Sequence, residues 1–386
     1  MKSWRILLFL LIALSLFGQQ LFGQQRRRQQ RHWTEAEAVQ WYAREAWPVG
    51  ANYIPSTAVN QLEMWQADTF DPTAIDKELG LAEGLGMNTM RVFLHYAVWN
   101  KDASGFKRRI NTYLKIADQH HIKTMFVLFD SCWDPFPEIG PQRPPLAGVH
   151  NSRWVQSPGA RVLMNPKEYD SLLAYVQDIV QEFRDDKRVL AWDVWNEPDN
   201  TNEGSYGAAE PVNKVALVEA LLPKVFTYAR AGLPEQPLTC GLFRGDWSSP
   251  DKLTPMEKIQ LDNSDVISFH SYDKPEEFER RVAWLEALHR PLLCTEYMAR
   301  PRGSTFRTIL PIAKKHNIGA YNWGLVAGKT QTYLPWDSWQ KPYIDRQPAV
   351  WFHDVFHEDG TPYSEEEAAF LKSILERPKP VKGAHK

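Results

Sequence analysis

The chain is predicted to be an α/β protein, a single-domain (β/α)8 TIM barrel, and three observations carry that prediction. From residue 48 onward, short apolar runs alternate with longer helical patterns. The apolar runs number eight. The alternation occupies about 325 residues, enough for the roughly 250-residue barrel with long loops after strands three and eight. A doubly wound open sheet is the alternative, but it would want a glycine-rich first turn, and Gly50-Ala51-Asn52-Tyr53 is not one.

Taken in order, the strand candidates are Val49 to Ile54, Thr89 to Leu94, Lys123 to Phe129, Val189 to Trp195, Pro237 to Leu242, Val266 to Phe269, Pro291 to Thr295 and Ile318 to Asn322. Runs this short and this apolar fit parallel strands covered on both faces. Between the first two, Asp71-Pro72 supplies an N-cap and a first-turn proline, and Gly86 closes the helix. The next helix carries Phe106, Ile110, Tyr113, Ile116 and Ala117 on one face. Asn165-Pro166 with Glu168 resembles a capping box, opening a helix striped by Tyr169, Leu172, Val176, Ile179 and Phe183. Later helical patterns run over Val212 to Ala231, Pro255 to Leu261, Pro275 to His289, Ser304 to His316 and Ser364 to Leu375. The connections from Cys132 to Pro166 and from Gly324 to Pro348 are the long ones. Both rise from the C-terminal face, and their Trp133, Trp154, Trp336 and Trp339 are candidate cleft walls.

Ahead of the barrel, Lys2 and Arg5 precede an apolar run from Ile6 to Phe17 with small-residue cut sites at Gly18 or Gly23. This is the layout of a signal peptide over 1–23, too short to span a bilayer comfortably. It implies a periplasmic or secreted protein with no stable membrane partner; an uncleaved anchor is the alternative. Residues 24–47 read as a spacer and helix, 48–376 as the barrel, and 377–386 as a tail. Cys132, Cys240 and Cys294 lie in or beside apolar strands and read as buried free thiols.

Composition narrows the function. A net charge of −2 shows no basic excess, which argues against nucleic acid as a partner. The 16 Trp and 14 Tyr exceed what a core needs. Flat aromatic surface is what a carbohydrate cleft uses, because sugar C–H faces pack on rings.

The chemistry centres on Glu197, at the end of Trp192-Asp193-Val194-Trp195-Asn196-Glu197-Pro198. A carboxyl at a strand end is half-desolvated, which raises its pKa toward that of a general acid. A lone Glu there more often caps the following helix. The odds change because Leu292-Leu293-Cys294-Thr295-Glu296 repeats the pattern. These are strands four and seven, which face each other across a barrel mouth. Arg91, Asn196, His270, Tyr272 and Trp323 sit at or near other strand ends, and a strand-buried Arg needs a carboxylate partner.

Together, Trp195-Asn196-Glu197-Pro198, Thr295-Glu296-Tyr297, Arg91, His270-Ser271-Tyr272 and Trp323 resemble the signature of the retaining clan A glycoside hydrolases, most nearly family 5. The resemblance runs from about Val49 to Trp323. It implies hydrolysis of a β-linked oligo- or polysaccharide (β-glucan, β-mannan or β-xylan), Glu197 as acid/base and Glu296 as nucleophile. It further implies that Asn196 binds the sugar 2-hydroxyl, that Arg91 and Tyr272 hold the nucleophile ionised, and that Trp323 floors the cleavage subsite. His270 would join the network around the acid/base, and no metal or cofactor is required. Family 5 proteins usually carry a His just after strand three. Here Asp130-Ser131-Cys132-Trp133 follows, leaving Asp130 or His95 as candidates for that sugar contact. Arg91-Val92-Phe93-Leu94-His95-Tyr96 is also similar to family 2 barrels, although no β-sandwich domain of that family fits before residue 48.

Other classes fit less well. A metal-dependent barrel hydrolase would need a His-x-His on strand one, and none is present. A carbohydrate-binding barrel without catalysis would not need both carboxyls with their partners. His120-His121 at a helix end have diverging rings, and His353 with His357 reads as a surface face rather than a metal pair. The expected protein is a monomer.

Overall fold

A computed structural model describes residues 31–376. The expected leader, residues 24–30 of the spacer and the tail lie outside the described residues. All eight expected strands form: β1 (Val49–Asn52), β2 (Thr89–Phe93), β3 (Lys123–Val127), β4 (Val189–Asp193), β5 (Leu238–Thr239), β6 (Ile267–His270), β7 (Leu292–Tyr297) and β8 (Gly319–Trp323). They pair in parallel in the order β5-β4-β3-β2-β1-β8-β7-β6. Between β5 and β6 the ring is joined by a Leu242–Phe269 bridge, with Leu242 N donating to Ser268 O at 3.0 Å and His270 N to Leu242 O at 2.7 Å. Most strands end earlier than their apolar runs, because the last residues of each run turn inward or outward as site and loop.

Local chemistry accounts for the helices between the strands. Asp71 accepts from the N–H groups of Thr73 and Ala74 and Pro72 opens Pro72–Leu85, which Gly86 ends at φ 92°. Thr254 and Glu257 form a reciprocal capping box at the start of Pro255–Asn263. At Asn165 the expected box is absent. Its side chain accepts from Lys167 N, Pro166–Glu168 is a 3-10 turn, and the α-helix proper is Tyr169–Glu182. His95 caps the long helix Tyr96–Gln119 by accepting from Ala97 N at 3.1 Å.

The N-terminal helix Glu35–Tyr42 belongs to the folded unit. Ala38, Tyr42, Trp33 and Trp41 pack with Met125, Ala191, Val266, Leu293 and Tyr321, plugging the bottom of the barrel. The segment from Trp33 onward thus shares a core with the strand ring, whose open lower end needs an apolar cover. At the opposite end Phe93, Val127, Trp154 and Trp323 form the upper layer. Among the described residues no helix is long and apolar enough to cross a membrane.

One pH response follows from this packing. His95 is fully buried and its Nε2–H faces Gln156 O at 3.1 Å. Burial lowers its pKa to about 3 from an unfolded value of 6.5. The folded state thus resists a proton that the unfolded chain accepts, so His95's contribution is complete above pH 6.5 and lost as pH falls toward 3. His95→Asn keeps a capping acceptor and removes the titration. Denaturant unfolding at pH 4.5, 5.5 and 6.5 is expected to show a shallower acid loss in the variant, by about 1.4 kcal/mol per pH unit near pH 5. Parallel stability curves would refute the burial-driven shift.

Candidate active site

Arg91 points from the middle of β2 into the barrel and is fully buried. Each of its five N–H donors is used. Nε and Nη2 reach Asp193 Oδ2 at 3.1 and 2.7 Å, Nη1 reaches Asn52 Oδ1 at 2.8 Å and Glu296 Oε1 at 3.1 Å, and Nη2 reaches Asn196 Oδ1 at 2.7 Å. One guanidinium therefore ties β1, β2, β4 and β7 to a single point. The partner that sequence reasoning missed is Asp193, two residues along β4 from the Trp195 that drew attention. Its position inside an apolar strand was the available signal.

Glu296 reaches this point through a backbone irregularity. β6 pairs Phe269 with Cys294 and then His270 with Glu296, and β7 pairs Cys294 with Ala320 and then Tyr297 with Asn322. This bulge in β7 turns the Glu296 side chain inward. Its Oε2 accepts from Tyr272 OH at 2.7 Å, and its side chain is 7% exposed.

Glu197 stands opposite. Asn196 N bonds Phe129 O at 2.8 Å and Ser131 N bonds Asn196 O at 3.1 Å, extending the β3–β4 ladder past its regular end. The chain then breaks at Glu197, whose φ of 44° is unusual for a non-glycine residue and costs energy that the surrounding contacts must offset. Glu197 Oε1 accepts from His270 Nδ1 at 2.9 Å. Its Oε2 accepts from Asn200 Nδ2 at 2.6 Å and from the Cys132 thiol at 3.1 Å. Neither Cys132 nor Asn200 was singled out for this contact. All three cysteines are free, as expected, but Cys132 is half-buried in the cleft and its thiol is held far above its usual pKa by burial and by Glu197.

His270 Nδ1 also lies 3.5 Å from Glu296 Oε2. A hydrogen on Nδ1 is within reach of both carboxyls. One oxygen each of Glu197 and Glu296 and a nitrogen of His270 lie within 4.8 Å of one another. A divalent cation could be fitted to such a trio. Here the Arg91 guanidinium and the Nδ1 hydrogen already supply the positive partners, so the donor set fits proton chemistry better than metal binding.

The electrostatics differ from the expectation. Burial pushes both carboxyls up. On Glu197 this is overcome by His270, Cys132 and Asn200, and the carboxyl lies below its ordinary range. On Glu296 burial, reinforced by the Glu197 charge, outweighs His270, Arg91 and Tyr272, and the carboxyl lies above it. The order is thus the reverse of that expected from Arg91 alone, because three donors converge on Glu197: His270 from the end of β6, and Cys132 and Asn200 from the loops after β3 and β4.

The remaining expected residues divide into two groups. Trp133, Asn196, His270, Tyr272, Trp323 and Trp336 line, with both carboxyls, a cavity of about 420 Å³ at the barrel mouth. His95 and Asp130 do not line it. Asp130 is buried behind Asn196, accepting from Asn196 Nδ2 and Cys132 N at 2.9 Å and from Trp154 Nε1 at 2.6 Å, with burial raising its pKa to about 6. Its carboxylate is consumed in orienting Asn196, and His95 is consumed in capping its helix. Among the four loop tryptophans, Trp133 and Trp336 face the cavity. Trp154 packs beneath Trp323 at 5.6 Å and Trp339 stacks behind Trp133 at 5.3 Å. His353 is fully buried beside Tyr272 and Trp336 and lines the cavity, correcting its assignment to a surface face; His357 packs on Trp351.

Comparison with solved structures adds the fold's relatives. A GH5_18 protein of Streptomyces cattleya in complex with Manβ1-4GlcNAc superposes with a TM-score of 0.57 at 13% identity, over 86% of this chain and 82% of that one. The chain shares its fold with family 5 glycoside hydrolases. The exo-β-1,4-mannosidase Op5Man5 of Opitutaceae bacterium strain TAV5 gives 0.55 at 17% identity, over 85% of this chain and 59% of that one. The endo-1,4-β-D-mannanase of Thermotoga petrophila RKU-1 gives 0.52 at 12% identity, over 85% and 98%. No protein-family model and no curated protein sequence matches the chain.

The Arg91 node makes a prediction that needs no substrate. Arg91→Ala leaves Asp193 and Glu296 buried without their cation, at an expected cost of about 3–5 kcal/mol at pH 7. Lowering the pH protonates the orphaned carboxyls, so the deficit relative to wild type is expected to shrink toward pH 4.5. Urea unfolding at the two pH values measures this; a pH-independent deficit would show that Arg91 acts through packing alone.

Proposed function

We propose that this protein is a retaining β-glycoside hydrolase of family 5 type, acting on β-mannosides by double displacement. The observation that carries the reading is the pair of carboxyls with oxygens within 4.8 Å of each other, one of them held by Arg91 and Tyr272. Such closeness suits a retaining pair, separated by about 5–5.5 Å, rather than an inverting pair that must admit a water. The choice of β-mannoside rests on the mannosidases and mannanases among the structural neighbours. An exported monomer is the setting consistent with the apolar segment near the N-terminus.

In this mechanism Glu296 attacks the anomeric carbon and Glu197 protonates the departing oxygen. Water then hydrolyses the glycosyl-enzyme with Glu197 as base. For the first step Glu197 must carry the proton and Glu296 the charge, the reverse of the order that their protein contacts favour. A glycosidic oxygen can only accept a hydrogen bond, so its arrival beside Glu197 selects the protonated carboxyl. Arg91 favours the charged form of Glu296 up to the attack. Once Glu296 is esterified its charge is gone, the repulsion that kept a proton on Glu197 disappears, and Glu197 becomes the base the second step needs. Asn196, its amide oriented by Arg91 on the oxygen and by Asp130 and Cys132 on the nitrogen, lines the cavity and is assigned the sugar 2-hydroxyl. Trp323 supplies a flat face below the ring.

The two Glu roles separate experimentally. Acid assistance matters least for a good leaving group, whereas the nucleophile serves every substrate. Glu197→Ala is expected to retain first-step reactivity on dinitrophenyl β-mannoside and to yield β-mannosyl azide when azide is added. Glu296→Ala is expected to be inactive on activated and natural substrates alike, with any azide product of α configuration. The opposite pattern would exchange the roles. Wild-type inactivity on every β-glycoside offered would favour a carbohydrate-binding barrel without catalysis.

A further inference from the structure

The cavity is open on one side of the carboxyl pair and closed on the other. Its lining comes from the loops after β3 to β8, with no residue from the loops after β1 or β2. The closure is a set of cross-links between the two long loops. Gly148 N donates to Gln331 Oε1 at 3.0 Å, Tyr343 N to Gly148 O at 2.9 Å, His150 N to Ser338 Oγ at 2.9 Å, and Asn151 N to Thr330 O at 2.8 Å. His150 Nδ1 adds a bond to Leu334 O at 2.8 Å, and Trp133 stacks on Trp339 with their planes 8° apart. Gly148, at φ 71°, is required at the crossing: a Cβ there would lie 2.5 Å from the Tyr343 backbone.

The loop after β1 completes the seal. Lys329 N bonds Ser56 O at 3.0 Å, Asn60 Nδ2 bonds Arg153 O at 2.9 Å, and Gln61 Nε2 bonds Val155 O at 3.0 Å. The mouth is thus roofed from β8 across β1 to β3. The far rim, formed by Phe243, Arg244 and Gly245 after β5, is tied sideways to its neighbours by Arg244 Nε to Asp199 Oδ2 at 2.9 Å and Arg281 Nη1 to Gly245 O at 3.3 Å, with the Arg244 side chain 47% exposed; among the described residues none of the roof's bonds crosses it.

The polarity of the bound chain follows from the roles in the proposed function, on which this inference rests. The scissile oxygen faces Glu197, so the leaving portion extends past Glu197 toward the open β5 rim. The sugar attacked by Glu296 lies over Trp323, and anything attached to its non-reducing end would have to pass between Trp133, His150 and Trp336. That is the sealed side. A volume of about 420 Å³ lies at the low end of the range for small-ligand pockets, about 300–1,000 Å³.

We infer that the laced loops after β3 and β8 make this an exo-acting enzyme, which admits one terminal non-reducing sugar and releases it singly from the open-ended chain. Four rings surround that sugar: Trp133, Trp323, Trp336 and Tyr272. A chain interior cannot reach the carboxyls without unlacing the roof.

Wild-type protein tests this directly. Reducing-end-labelled β-1,4-mannohexaose is expected to shorten one sugar at a time, with monosaccharide as the sole other early product. The same substrate blocked by an acetal on its non-reducing terminal sugar is expected to be cleaved at least 100-fold more slowly. Early release of di- and trisaccharides, or equal cleavage of the blocked chain, would overturn exo action and leave the hydrolase reading standing. If neither the hexasaccharide nor dinitrophenyl β-mannoside, -glucoside and -xyloside is cleaved, the hydrolase reading itself fails and this inference with it.

Discussion

The site depends on one buried cation. Arg91 has no solvent contact, and burying a guanidinium is tolerable only where all of its donors are met. Here two carboxylates and two amide oxygens meet them. The demand runs both ways. Asp193, wholly buried, is ion-paired to Arg91, and Asn196 is oriented by Arg91 on its oxygen and by Asp130 on its nitrogen. The rigid constellation at the barrel mouth is a consequence of electrostatic necessity below it, since moving any one of these groups would leave a neighbour unpaired in a dry interior.

Around that node, two of the ten described non-glycine residues at positive φ line the cavity. Glu197 sits at positive φ, and Trp133, at φ 67°, does the same on the facing loop. Both are held by convergent bonds: Trp133 N to Asn202 Oδ1 at 3.0 Å, Glu197 by Asn200, Cys132 and His270. Pre-ordering of this kind lowers the reorganisation needed when charge develops in a transition state. It also explains why the carboxyl order set by the protein contacts alone differs from the one the first chemical step needs. A site stiff enough to hold Glu197 by three donors stabilises its charged form until a ligand supplies a competing acceptor.

Much of this was legible in the sequence, and the rest was illegible for definable reasons. The eight strands could be counted because each is a short apolar run bounded by turn residues. Glu197, Glu296 and Arg91 stood out because charged residues interrupt those runs. The inward turn of Glu296 depends on a bulge in β7, a register effect with no local sequence mark. Cys132 and Asn200 reach Glu197 from separate loops, so their contact with it belongs to tertiary structure. Asp130 and His95 were credible sugar contacts by residue type, but other groups had already claimed their polar atoms. The lacing of the loops after β3 and β8 joins residues far apart in the chain through backbone groups and through Gln331, Ser338, His150, Trp133 and Trp339, and such long-range pairing leaves no local sequence mark.

The most direct measurement of the central claim is to trap the covalent intermediate. Incubation with 2-deoxy-2-fluoro-β-mannosyl fluoride should slow both steps and the second more, so that a glycosyl-enzyme accumulates. Intact mass spectrometry should then show the addition of one fluoro-sugar, and peptide mapping should place it on Glu296, with Glu296→Ala taking up none. Labelling at Glu197, or hydrolysis of substrate to a product of inverted anomeric configuration without any adduct, would contradict the assignment of Glu296 as a nucleophile held by Arg91.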